Sequence, residues 1–113
     1  MRGILINPWT SEVTEVDVGD GIDPIYQYLS KGLTGPVGTF TTGASWDNGD
    51  IMYVDDEGLF KLKNRAFMIH DQTLVGMGLI LGTDSWGSAI DAKSSLVTIQ
   101  SEITWSQMEV RHG

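Results

Sequence analysis

The sequence predicts an α+β domain: a mostly antiparallel sheet of about six or seven strands with one or two short helices. Three observations carry that expectation. Fourteen glycines stand against three prolines, with short apolar runs between turn residues, a pattern of strands and tight turns rather than of a helical bundle. Asn48-Gly49 lies between apolar runs, a strong short-range hairpin signal. Asp23-Pro24 opens a stretch with helical spacing of apolar residues. At 113 residues the chain has room for one domain around one modest core.

The elements follow in order. Ile4, Leu5 and Ile6 form a short buried strand, and Pro8-Trp9-Thr10-Ser11 turns the chain. Residues 12–18 alternate, with Thr14, Val16 and Val18 on one face and Glu15 and Asp17 on the other, so they form a half-exposed strand paired with the first. Asp23 is placed as an N-cap and Pro24 at the first helical position. Ile22, Ile25, Tyr26 and Leu29 give the helix its apolar stripe, and Gly32 stops it. Residues 33–36 are a loop, and 37–46 a Thr- and Gly-rich strand ending at the hairpin.

A two-residue type I′ turn at Asn48-Gly49 pairs Trp46 with Ile51, Ala44 with Tyr53, and Asp47 with Asp50. Like charges placed opposite each other destabilise a sheet. Residues 51–54 are a buried strand, and Asp55-Asp56-Glu57-Gly58 turns it toward one helical turn over 57–62. Residues 66–70 and 74–81 are the next strands, with Gly76 and Gly78 on one face of the second as a mark of close backbone approach or a bend. Residues 82–87 are a polar turn. Ser94 or Ser95 can cap a short helix with Leu96 and Ile99 inward, although the β-branched run Val97-Thr98-Ile99 argues for a strand. Residues 103–110 form the last strand.

Charge narrows the function. Residues 1–60 hold ten acids and two bases, and residues 61–113 hold five of each, so the whole net charge of −8 lies in the first half. Five acids fall in residues 12–23 and five in 47–57, with no base in either stretch. Such a surface repels nucleic acid and anionic membrane and suits a basic partner; the plainer reading is solubility. The absence of cysteine removes a disulfide framework and a thiolate zinc site and fits a reducing, cytoplasmic setting. The opening has an apolar run of only three residues before Asn7, which is neither a signal peptide nor a membrane span.

No catalytic constellation emerges. His70 beside Asp71 has no nucleophile in its context, and neighbours on a strand point to opposite faces. His112 lies in the tail. Asp55-Asp56-Glu57 lacks the alternating oxygen ligands and distal Glu of a calcium loop. Gly76-Met77-Gly78 lacks the third glycine and following helix of a dinucleotide site. No enzyme activity, metal or cofactor is therefore expected. Trp9, Trp46 and Trp86 all sit in turn contexts, either as lids on the ends of a small core or as exposed anchors for a partner.

Four runs carry a resemblance: residues 1–8 (MRGILINP), Asn48-Gly49-Asp50, residues 53–59 (YVDDEGL) and residues 78–84 (GLILGTD). Together they resemble a small family of short proteins from bacteriophage genomes, plasmids and integrated mobile elements, designated only as a domain of unknown function. The resemblance implies a setting rather than a reaction, since that family has no agreed activity or catalytic residues. Residues 39–46 fall outside it.

The leading expectation is a non-enzymatic accessory protein that binds a basic or nucleic-acid-handling host protein, such as a defence factor, through its acidic half. The partner-facing residues are expected to be Glu15, Asp17, Trp46, Asp47, Asp50, Asp55, Asp56 and Glu57. A DNA-mimic version needs both acidic stretches on one surface, because alternate strand residues are about 6.8 Å apart while phosphates recur about every 3.4 Å. The alternative is a sponge for a nucleotide signal, with a pocket of Trp and Tyr at a subunit interface. Few bases are at hand for its phosphates, chiefly Lys61, Lys63 and Arg65.

Overall fold

The computed structural model describes residues 1–32, 36–58 and 64–110. Most of the turn expected over 57–62, most of the 33–36 loop, Lys61, Lys63 and His112 lie outside the described residues. Nine strands and two helices occur among them, in two antiparallel sheets.

The larger sheet is built on β7 (Gly78–Thr83). To one side lie β1 (Arg2–Asn7) and then β2 (Glu12–Asp17); to the other lie β4 (Ile51–Asp55) and then β3 (Phe40–Ser45). The short β8 (Ala89–Ile90) pairs with the end of β7. The smaller sheet runs β6 (Gln72–Val75), β5 (Asn64–Ile69), β9 (Thr104–Val110). Helix α1 (Asp23–Leu29) covers one face of the larger sheet; the smaller sheet and α2 (Leu96–Glu102) cover the other.

Burial on both faces explains the unbroken apolar runs. Along β1, Ile4 and Ile6 point to the second sheet and Leu5 to α1; along β7, Ile80 points to the second sheet and Leu79 and Leu81 to α1. A strand with two covered faces has no polar side to alternate with. The register Ile4↔Ile80, Leu5↔Leu79 and Met52↔Ile80 stacks these side chains into two cores. Packing at Gly78 is tight, since a Cβ there would lie 3.0 Å from both Met52 and Phe67.

Several local expectations change. The helix cap is Ile22, with no side-chain bond, while Asp23 and Pro24 occupy the first helical turn. Asp23 there faces the positive end of the helix dipole. Ile25 and Leu29 are buried as the spacing required, but Ile22 is exposed. The segment expected as one strand over 74–81 is two strands in different sheets: Gly76, at φ 90°, breaks the chain between β6 and β7. Ser95 is the cap of α2, its hydroxyl accepting from the Thr98 N–H at 3.2 Å, and Ile99 is the buried residue. A side-chain cap and one inward isoleucine outweigh the strand preference of the β-branched run.

The hairpin after β3 is shifted by one residue. Ser45 pairs with Ile51 and Ala44 with Met52, and the Trp46 N–H donates to the Asp50 carbonyl at 2.9 Å. The loop is Asp47-Asn48-Gly49, closed by the Gly49 N–H to the Trp46 carbonyl at 3.1 Å, and only Gly49 has positive φ, at 95°. This is a three-residue loop with a left-handed glycine, not a two-residue turn. Asp47 and Asp50 therefore do not oppose each other.

Candidate functional site

Asp50 is the most constrained of the residues expected to meet a partner. It is 0% exposed, and its carboxylate accepts the Lys93 N–H at 2.9 and 3.2 Å and the Ser94 N–H at 2.8 Å. Asn48 reinforces the junction: its Oδ1 accepts the Asp50 N–H and its amide donates to Ser94 Oγ. The hairpin tip is thus stapled to the segment entering α2. A buried carboxylate with three such bonds is a structural clamp, and partner binding through Asp50 is set aside.

The remaining acids are dispersed. Glu15 pairs with Arg2 Nε at 2.6 Å, and Asp17 accepts from the Met1 amino group at 3.3 Å. Asp55 is buried, with Oδ1 accepting the Glu57 N–H at 2.9 Å. Asp47, Asp56 and Glu57 are exposed. The strand order places β2 three steps from β4, about 14 Å across. Register sets Glu12 level with Asp55 and Asp17 level with Asp50, so it is the two strands lying between them that keep the stretches apart. The two acidic stretches do not form one phosphate-spaced row.

Trp46 is half-buried against the core as a lid. Its Nε1–H donates to Glu102 Oε2 at 3.0 Å, and the same oxygen lies 2.6 Å from His70 Nε2. The Trp46 and His70 rings meet edge-on at 5.2 Å. His70 and Asp71 have φ of 48° and 61° and join β5 to β6 with Ile69 opposite Gln72. This is the two-residue turn with paired positive φ that Asn48-Gly49 had promised. The partner of His70 is Glu102 rather than Asp71. The cluster ties both hairpin ends to α2, and among the described residues the bonds at it include no serine, threonine or cysteine nucleophile. Among the described residues no group of three or more ligating side chains is placed to hold a metal ion.

Trp9 is a second lid: a Cβ at Gly32 would fall 2.6 Å from its ring. Trp86 is the exception, at 90% exposure. Its turn is stiffly built. Asp84 Oδ1 accepts the Trp86 and Ser88 N–H groups, both at 2.9 Å. The Asp84 N–H donates to the Ser88 carbonyl at 3.0 Å, the Gly87 N–H to the Asp84 carbonyl at 3.1 Å, and Gly87 takes φ 82°. The sequence Asp-Ser-Trp-Gly-Ser carried this signal, since an aspartate can close a turn on the backbone two residues on and glycine can supply the left-handed position.

Next to this turn is a cleft of about 400 Å³ walled by Ile22, Ile25, Phe40 and Tyr53, with Asp20 and Ser88 adding polar groups. A second hollow of about 590 Å³ shares Met1, Asp20 and Ala89 with it. Phe40 is wedged between Tyr26 and Tyr53, with ring centroids 4.8 and 5.3 Å away and edge-to-face geometry. Burial pushes the Tyr53 phenol above its ordinary pKa of 10.0, so it is a neutral hydroxyl at physiological pH. No family model, curated protein or solved structure matches the chain. No helix among the described residues is long and apolar enough to cross a membrane.

Proposed function

We propose that this chain is a non-catalytic binding protein that engages a basic protein partner through Trp86 and the adjoining cleft. The observation that carries the reading is the 90% exposed Trp86 on a turn fixed by four hydrogen bonds. Tryptophan is the residue most often found as a binding anchor, and here much of the entropy cost of ordering the loop is met before binding. Exposed Ile22 extends the apolar patch. The net charge of −8 supplies a field that draws a basic partner without a row of phosphate-spaced carboxylates. The resemblance to proteins of phages and plasmids supports a host protein, of the nucleic-acid-handling kind, as that partner. The nucleotide-sponge alternative has an aromatic cleft in its favour, but Asp20 lines it, no Lys or Arg does among the described residues, and the amino group of Met1, which also lines it, is already held by Asp17 and the Val18 carbonyl.

The test begins with affinity capture on the tagged chain, followed by purification of the captured protein and a binding titration. Trp86→Ala is expected to weaken binding by about thirtyfold or more, the scale of a 2 kcal/mol anchor, with the circular dichroism spectrum unchanged. Trp46→Phe is expected to alter stability but not the intrinsic affinity of the folded protein. Wild-type affinity in Trp86→Ala would refute the reading.

A further inference from the structure

We infer that the cleft beside Trp86 receives the guanidinium of an arginine side chain from the partner; this rests on the protein-binding reading above and names the chemistry that one part of the surface recognises. Asp20 is the starting point. Several other acids are engaged: Glu15 with Arg2, Asp17 with the Met1 amino group, Asp91 with the Arg2 N–H at 2.7 Å, and Asp84 within its own turn, while Asp23 is exposed on the first turn of α1. Asp20 has no hydrogen-bond or ion-pair partner among the described residues, and it lines both hollows together with Met1, whose amino group is already held by Asp17 and the Val18 carbonyl. It sits between Gly19 and Gly21, the latter at φ 89°, in the connection from β2 to α1.

The same cleft is lined by the rings of Phe40 and Tyr53, held by their mutual contact and by Tyr26. A guanidinium suits such a site better than a neutral apolar side chain. It is planar, stacks on aromatic surface, and pairs with a carboxylate through two parallel N–H bonds. The neutral Tyr53 and Ser88 hydroxyls are further acceptors. Ser88 is two residues from Trp86, so the anchor and the cleft belong to one surface.

The experiment is an NMR titration of the full chain with N-acetyl-arginine-amide, beside the citrulline and norleucine amides as uncharged controls. Saturable shifts at the Phe40 and Tyr53 rings and the Ile22 and Ile25 methyls are expected with arginine alone. Asp20→Asn is expected to lower that affinity about tenfold, the scale of a lost charge-assisted bond. The exposed loop position keeps this variant folded, which its unshifted core methyls would confirm. Equal response to citrulline or norleucine, or an unchanged affinity in Asp20→Asn, overturns the inference. If arginine gives no shifts while Trp86→Ala still loses the purified partner, the cleft inference falls alone. If arginine binds while Trp86→Ala holds the partner at full strength, the anchor reading falls and the cation site stands.

Discussion

Asp47 and Asp50 look alike in the sequence and have opposite fates. Asp50 is buried among backbone donors, whereas Asp47 points into water at the loop tip. Asp50→Ala strips the acceptor from the Lys93 and Ser94 N–H groups and is expected to cost about 3 kcal/mol. Asp47→Asn, which a face-to-face pair would make stabilising, is expected to stay within about 0.5 kcal/mol of wild type even at low salt. Urea denaturation of the two variants checks both. Tyr53 gives a pH dependence with a definite sign. Its folded pKa lies above the unfolded 10.0 because burial disfavours the phenolate. The stability in place below pH 10.0 is therefore lost as the pH climbs from there through the raised folded value. Tyr53→Phe is expected to flatten that part of the alkaline decline, measured as denaturation midpoints across the range. Identical wild-type and variant curves would mean that the phenol titrates alike in both states.

At the scale of elements, what the sequence disclosed and what it hid divide along the line between local and tertiary causes. Helix α1, the β1–β2 hairpin and the buried β4 were legible, because apolar spacing and turn residues specify them locally. The register after β3 was not, because it depends on where Lys93 and Ser94 bring their N–H groups, more than forty residues away. His70-Asp71 gave no composition signal for a turn that Asn-Gly usually makes, so β6 went unseen as a separate strand. Trp86 was weighed with the other turn tryptophans, and only the packed surroundings of Trp9 and Trp46 set it apart. The short β8 depends on a backbone approach equally invisible in sequence: a Cβ at Gly82 would lie 2.3 Å from the Asp91 carbonyl oxygen. Gly82→Ala is expected to push β8 off β7 and cost about 3 kcal/mol, the upper range for overpacking. Hydrogen exchange at residues 88–92 reports it, and unchanged protection there would mean that the strand pair yields without loss.

Over the whole molecule, the central sheet shares its two covered faces between α1 and a second sheet, which leaves function to the ends and edges. The two acidic stretches lie about 14 Å apart across the sheet, so their effect is collective: the partner's association rate is expected to fall as salt screens the field, with little change in dissociation. The turn that carries Trp86 leaves the end of β7 and runs into Ser88 and Ala89, which line the cleft with residues 20–22 at the entry of α1. The most direct measurement of whether this is the working surface is hydrogen exchange on the intact chain with and without the purified partner. The expected footprint is protection at residues 84–89 and 20–26, with the hairpin at 46–50 and the turn at 55–58 unaffected. Protection confined to 46–50 and 55–58, with 84–89 exchanging as in the free protein, would contradict it.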